Sequence, residues 1–327
     1  MASSSTPSAT PPTPAPGAAA ATYLASLHVP GDPVILPNIW DIASLNTVLS
    51  LNTKQDRPVK ALATASFAIA ESLGLKDEDL SLGANLIRIG TLMPRIRAAG
   101  IPLSVDIQDG YGDRLDEVVR AVVRLGAAGA NVEDLLPPER DATVVVVKGK
   151  DGKEGRRNRL YSLEEQVSRL KRVKQVAAEA GCPDFVLNAR CDVFSPASQF
   201  ATTPTPTVTQ HDDHLNASPE QLKEAVTRGK AYLSAGATTV YFWGGATRGL
   251  RNQEVEELVR ALGGRINVKQ GMAKGLVGKA EEFENALSVE ELAEMGVARI
   301  SLGPGLWVAA KEAVLQTAER VVSGGGV

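Results

Sequence analysis

Short apolar runs recur along this chain, each closed by a polar residue or a glycine. Eight of them stand out, at residues 34–38, 61–66, 102–107, 130–134, 185–192, 238–243, 266–270 and 298–303. They are rich in apolar and β-branched side chains and short enough to cross a buried sheet, which predicts eight strands. Between them the period changes to that of a helix. Asp41 caps a predicted helix through Leu51, and residues 77–99 carry Leu80, Leu86, Ile87, Ile89 and Met93 at helical spacings. Residues 113–128 do the same with Val118, Val119, Val122, Val123 and Leu125. Ser162 with Glu165, Ser218 with Gln221 and Ser288 with Glu291 form capping-box starts for three later helices. A final helix is expected over about 305–322.

Strand and helix alternating eight times predicts an α/β fold of the (β/α)8 TIM-barrel type. A doubly wound open sheet competes, but no Gly-x-Gly-x-x-Gly turn follows the first strand. A single barrel over 23–327 exceeds the usual size of about 250 residues, and two insertions account for the excess. One spans 135–161 after strand 4 and the other 195–217 after strand 5. Both follow the C-terminal end of a strand, the side on which barrel active sites are built. The first pairs a β-prone run at 143–147 with a glycine-rich basic stretch at 148–159. That predicts a hairpin turning at Asp151-Gly152, either a lid over an anionic substrate or a solvated surface loop. The second holds a Thr-Pro repeat with His211 and His214 and reads as a mobile decoration, with loose metal binding through the histidines as its rival.

Composition removes several classes. With 43% hydrophobic and 22% charged residues the chain is ordinary for a soluble enzyme core. A net charge of −3 offers no general attraction to nucleic acid or to an anionic membrane. The two cysteines, Cys182 and Cys191, lack metal or disulfide spacing, and no histidine falls on a predicted strand. Ser-His and Cys-His nucleophiles are thereby disfavoured. Residues 1–22 are almost wholly Ala, Ser, Thr and Pro, which predicts a disordered tail. The first lysine or arginine is Lys54, unlike an arginine-rich transit peptide, so the expected location is cytoplasmic.

The predicted strand ends gather chemistry. Strand 2 delivers Thr64, Ala65 and Ser66, strand 3 delivers Asp106 and Asp109, strand 4 delivers Glu133 and Asp134, and strand 5 delivers Arg190 and Asp192. Strand 1 and its turn add Asn38, Trp40 and Asp41, and strand 7 adds Asn267 and Lys269. Oxygen-rich donors without histidine or cysteine suit a hard cation such as Mg²⁺, with Mn²⁺ as its substitute. An arginine one strand away suits bidentate capture of a carboxylate or phosphonate, and N–H groups after strand 2 suit an oxyanion. Taken singly, Asp106 or Glu133 equally fits a salt bridge, and Arg190 equally fits their neutralisation. Cys191 reads as a small buried residue, because nothing near it in sequence would lower its pKa.

At these residues the chain resembles the phosphoenolpyruvate mutase/isocitrate lyase superfamily. The motifs are Pro37-Asn-Ile-Trp-Asp-Ile-Ala-Ser44, Ala63-Thr-Ala-Ser66 with Ser72-Leu-Gly-Leu75, Asp106-Ile-Gln-Asp-Gly-Tyr-Gly112, Val132-Glu-Asp134 and Asn188-Ala-Arg-Cys-Asp192. They occur in family order at strand ends, and Gly296-Val-Ala-Arg-Ile-Ser-Leu-Gly-Pro304 looks like the phosphonomutase-like branch. The resemblance covers about 30–322. It implies a barrel whose last helix is exchanged between subunits in a homodimer or homotetramer. It also implies Mg²⁺ and C–C or P–C bond cleavage, hydrolysis or rearrangement of a small 2-oxo or 2-hydroxy carboxylate or phosphonate through an enolate.

By the same resemblance Asp106 and Glu133 are metal carboxylates, and Asp77 reaches the metal through water. Asp106 and Arg190 carry catalysis, and Trp40, Asp41, Thr64, Ala65, Ser66, Arg190 and Asn267 bind substrate. The departures are informative. Gln108 stands where the family commonly has a second acid, which modifies the expected metal shell. The loop after strand 4 has Pro137-Pro-Glu-Arg-Asp141 with no cysteine, which argues against an isocitrate-type lyase, and Trp243 replaces a glutamate on strand 6. A same-fold enzyme that has lost metal chemistry, and a non-catalytic anion-binding protein, stand as alternatives.

Overall fold

The computed structural model describes residues 13–137, 145–148, 154–195, 197–200, 217–244, 249–270 and 287–326. Nine parallel segments form the main sheet: β1 (Val34–Leu36), β2 (Asn38–Ile39), β3 (Leu62–Thr64), β4 (Leu103–Asp106), β5 (Gly129–Glu133), β8 (Val186–Cys191), β9 (Thr239–Phe242), β10 (Ile266–Lys269) and β11 (Arg299–Ser301). A separate antiparallel pair, β6 (Val145–Lys148) and β7 (Glu154–Arg157), lies in the first insertion.

β1 and β2 are two halves of one strand divided at Pro37, which has no N–H to give to a ladder. Before the proline, Val34, Ile35 and Leu36 register with Arg299, Ile300 and Ser301 of β11; after it, Asn38 and Ile39 register with Ala63 and Thr64 of β3. The Pro37 carbonyl still accepts from the Ala63 N–H at 3.0 Å. One strand thus pairs with both the last and the second, and eight strands close into the expected barrel. Each of the eight predicted strands is present: six are shorter by a residue or more, 130–134 keeps its length one position earlier, and 34–38 is divided by the proline.

The outer wall is apolar. Val105 and Val132 of the strands are fully buried, as are Val118, Val119, Val122 and Val123 of α5 (Leu115–Leu125), spaced so that one helical face meets the sheet. The interior is not the branched aliphatic filling usual for this architecture. Ser104, Asn188, Thr239, Asn267 and Arg299 are all buried there, joined in chains: Asn188 Nδ2 donates to Asn131 Oδ1 at 2.6 Å, and Thr239 Oγ1 to Asn188 Oδ1 at 2.7 Å.

Helix starts follow their caps. Ser218 and Ser288 make complete capping boxes with Gln221 and Glu291 ahead of α7 (Pro219–Ser234) and α9 (Val289–Glu294). Ser162 caps α6 (Leu163–Glu179) through the Glu165 N–H alone. The expected 77–99 helix is divided into a 3₁₀ turn, Asp77–Asp79, and α4 (Leu82–Ala99), which starts afresh at Ser81.

The predicted tail needs correction. Residues 18–26 form α1 (Ala18–Ser26), with Ala21 and Leu24 fully buried, so the disordered reading of 1–22 fails from residue 13 onward wherever the chain is described. Gly17 makes this docking feasible, because a Cβ there would meet the Gly126 carbonyl oxygen at 2.5 Å. Both insertions are partly described. Leu136 N–H donates to the Arg159 carbonyl, and Asn158 exchanges backbone hydrogen bonds with Ala197 and Gln199, so the stem of the hairpin is tied to the start of the second insertion. The expected turn at Asp151-Gly152 and the histidine pair at 211 and 214 lie outside the described residues.

Candidate active site

Asp106 closes β4 and is fixed from three sides. Its N–H donates to Thr64 Oγ1 at 2.8 Å, and its carboxylate accepts from the Ser66 N–H at 3.1 Å and the Gln108 N–H at 3.2 Å. Thr64 and Ser66 therefore orient this carboxylate, and the Ser66 N–H expected to hold a substrate oxyanion is engaged by Asp106. Ala65 between them is buried in the same turn as the cap residue of α3 (Ser66–Ser72).

The turn after β4 carries backbone strain. Gln108 (φ 52°) and Tyr111 (φ 56°) both occupy the left-handed region, which costs a non-glycine residue energy that its surroundings must supply. Gln108 Nε2 donates to the Asp77 carbonyl at 2.7 Å and to its carboxylate at 3.3 Å. Tyr111 is held by Asn85, whose Nδ2 donates to both the Tyr111 hydroxyl and the Asp106 carbonyl. Gln108 thus anchors the Asp77 loop beside Asp106. Burial and the nearby Asp106 charge raise the Asp77 carboxyl above its ordinary range.

One strand over, Glu133 and Arg190 stand opposite each other in the register of β5 and β8 and form an ion pair at 2.7 Å. Arg190 also donates through Nη2 and Nε to Asp192 at 2.8 and 3.0 Å, and its guanidinium stacks 4.5 Å from the centroid of Trp243. Burial pushes the Glu133 carboxyl well up, opposed by Arg190 and reinforced by Asp192, Asp106 and Asp77. Asp192 is pushed up to about 6 by burial, against the pull of Arg190. Four acids and one arginine share this space, an imbalance of negative charge.

Other expected participants stand elsewhere. Asp109 turns back into the wall, accepting from the Tyr161 hydroxyl at 2.9 Å and the Tyr111 N–H at 3.0 Å. Asp134 faces the outer helices, where Tyr232 and Arg228 of α7 hold it. Asp41 caps α2 (Ile42–Leu49), its carboxylate accepting from the Ser44 N–H at 2.7 Å. Trp40 packs edge-to-face on Trp307 of α10 (Gly305–Val322), centroids 5.1 Å apart. Asn267 lies deeper in the barrel, donating to Ser301 Oγ at 3.0 Å. Cys191 is buried and its thiol is raised well above its usual range by that burial, so it behaves as the small apolar residue expected.

The strand ends missed two interior residues. Tyr241 of β9 is registered between Arg190 and Asn267, and Arg299 crosses the barrel toward Ser104, with Nη2 3.4 Å from its hydroxyl. Alternation along the strands was the available signal, since each lies two residues before a mouth position.

Chains of known fold share this frame. A protein of Burkholderia cenocepacia named as a phosphonomutase superposes with a TM-score of 0.68 at 25% identity, covering 93% of this chain and 98% of its own. An oxaloacetate acetylhydrolase solved with its product oxalate gives a TM-score of 0.68 at 20% identity over 96% and 90% of the two chains, a likeness of fold. An uncharacterized protein of Mycobacterium tuberculosis is 26% identical over 306 residues, 91% of this chain and 88% of that one. The family model described as phosphoenolpyruvate phosphomutase matches residues 24–322. With that match running from within the last turn of α1 to the last residue of α10, the protein belongs to the phosphoenolpyruvate phosphomutase family.

Proposed function

We propose that this chain is a Mg²⁺-dependent enzyme acting on a small 2-oxo or 2-hydroxy carboxylate or phosphonate, by C–C or P–C cleavage, hydrolysis or rearrangement through an enolate. The observation that supports it best is the placement of Asp106, Glu133 and Arg190 on three adjacent strands at one end of the barrel.

The donor set fits a hard cation in part. Among the described residues no three His, Cys, Asp or Glu side chains are gathered closely enough to form a closed metal cage. Mg²⁺ does not need one; it keeps several waters and commonly takes one or two protein carboxylates. Asp106 is the direct candidate, because its carboxylate is preoriented by N–H donors. Glu133 and Asp77 are raised first by burial and then by neighbouring acids, Asp106 among them for both, and a cation there would relieve the second cause. When bound, the ion would supply Lewis-acid stabilisation of enolate charge. Gln108 holds the Asp77 loop rather than adding a second acid.

Arg190 would take the substrate carboxylate or phosphonate in its planar fork, exchanging one of its acidic partners to do so. Trp243 fixes the plane of that fork from one side. The hairpin of the first insertion, tied at its stem, would exclude water as a lid. A second protomer completes the proposal. α10 is 18 residues long yet buries only Gly305, and Val314, Leu315 and Val322 are exposed. Exchange of this helix in a homodimer or homotetramer would cover them. The divergent reading, anion binding without a metal, is favoured by the Glu133–Arg190 pair and Gln108.

Calorimetric titration separates the two. Mg²⁺ should bind, and oxalate, an enolate mimic, should bind only in its presence. Asp106→Ala should abolish cation binding and leave the fold intact by circular dichroism. Oxalate binding that ignores Mg²⁺ would sink the metal reading, and normal cation affinity in Asp106→Ala would refute the ligand assignment.

A further inference from the structure

Tyr241 has no role in any argument so far, yet it occupies the middle of the site. It lies on β9 in register with Arg190 on one side and Asn267 on the other. Its neighbour Phe242 faces outward, packing on Phe194 and standing near Gly229 of α7. Side chains alternate along a strand, so Tyr241 points into the barrel with Trp243 one step above it. The ring is 6% exposed. Its phenol lies in the field of Arg190, Asp192, Asp106 and Glu133, and contributes in turn to that of Arg299, two strands away on β11.

Buried phenols ordinarily find a hydrogen-bond partner. Among the described residues none hydrogen-bonds the Tyr241 hydroxyl. A phenylalanine would fill the same volume without placing a donor beside three carboxylates and an arginine. The hydroxyl is not among the fully buried polar atoms left without a partner, so it opens onto the mouth, where an acceptor from outside can reach it.

We propose that Tyr241 is a further substrate-binding residue, whose O–H donates to an oxygen of the anion that Arg190 holds. The assignment rests on the reading of the mouth as an anion-binding enzyme site and sharpens it. Burial, countered by Arg190 and reinforced by the surrounding acids, keeps the phenol protonated far above neutrality. Tyr241 is thus a neutral donor rather than a general base. Donation to a carboxylate or enolate oxygen from one side and a guanidinium from the other would fix the plane of a small 2-oxo acid before any bond breaks.

The test is Tyr241→Phe, which removes one oxygen and keeps the ring. Mn²⁺ affinity and thermal unfolding should match the wild type, while oxalate affinity measured with Mn²⁺ present should fall about ten- to a hundredfold, the usual worth of a hydrogen bond to a charged group. The loss should be the same at about pH 6 and about pH 9, because a phenol that stays protonated does not titrate between them. Equal oxalate affinity in the two chains overturns the assignment while leaving the proposed function standing, and so does a loss confined to one end of that pH range. A wild-type chain that binds Mn²⁺ and no oxalate overturns both.

Discussion

Glu133 and Asp134 are consecutive acids at the end of one strand, and they end on opposite sides of the barrel wall. Asp134 is fully buried and fully answered: Tyr232 donates at 2.6 Å, Arg228 at 3.2 Å, and the Asp192 N–H donates to its other oxygen at 2.8 Å. Glu133 keeps 18% of its side chain exposed and meets one cation, Arg190, with three more acids in range. Asp106 and Asp109 differ in burial instead: each carboxylate accepts two hydrogen bonds, but Asp109 is fully buried and Asp106 is not. An acid that the fold satisfies with several donors is part of the wall. An acid left short of donors, beside water and other acids, is where an outside cation or proton has something to do.

The largest expected effect breaks the wall side. Asp134→Asn leaves buried Arg228 with the partly exposed Glu224 as its remaining acid and takes the carboxylate away from the Tyr232 hydroxyl, and should cost about 3 kcal/mol, read as a fall in the denaturant midpoint. Glu133→Gln, one residue away, should change stability by under about 1 kcal/mol while weakening Mn²⁺ binding, since removing a crowded charge offsets the lost ion pair. Equal destabilisation by the two variants would erase the distinction.

A smaller effect concerns pH. Asp192 titrates at about 6 in the folded chain against 3.8 for the free side chain. Between those values the native state binds more protons than the unfolded one, so this residue's contribution falls as pH rises from about 4 to about 6. Asp192→Asn in metal-free buffer should flatten that part of the stability profile; an unchanged slope would place the titration elsewhere.

The mildest loss on the wall side is Tyr161→Phe. It removes the hydroxyl that donates to Asp109 and should lower stability by about 1–2 kcal/mol. Oxalate and Mn²⁺ affinities should stay at wild-type values; a loss in either would move Asp109 from the wall to the site.

The pattern of apolar and polar positions located all eight barrel strands and the caps of four helices, Asp41, Ser162, Ser218 and Ser288, because each is a local decision made by side-chain period and one or two capping atoms. Helix α1 escaped notice for the opposite reason. Its alanine-rich stretch has little polar contrast, and what orders it is burial of Ala21 and Leu24 and the close passage of Gly17 against Gly126. The strand-end rule brought Asp106, Glu133 and Arg190 to the reader, but it brought Asp109 and Asp134 with them. Nothing local in Glu133-Asp134 says which acid turns inward.

The sequence by itself determined the alternation of strands and helices, the end of the barrel at which chemistry gathers, and the acids and arginine available there. Only the tertiary structure decided which of those acids the fold answers with its own donors. It also showed that Pro37 lets one strand close the barrel, and that Tyr241 stands between Arg190 and Asn267. The reason is physical: period and capping act over a few residues, whereas the satisfaction of a buried charge depends on groups such as Arg228 and Tyr232, nearly a hundred positions from Asp134.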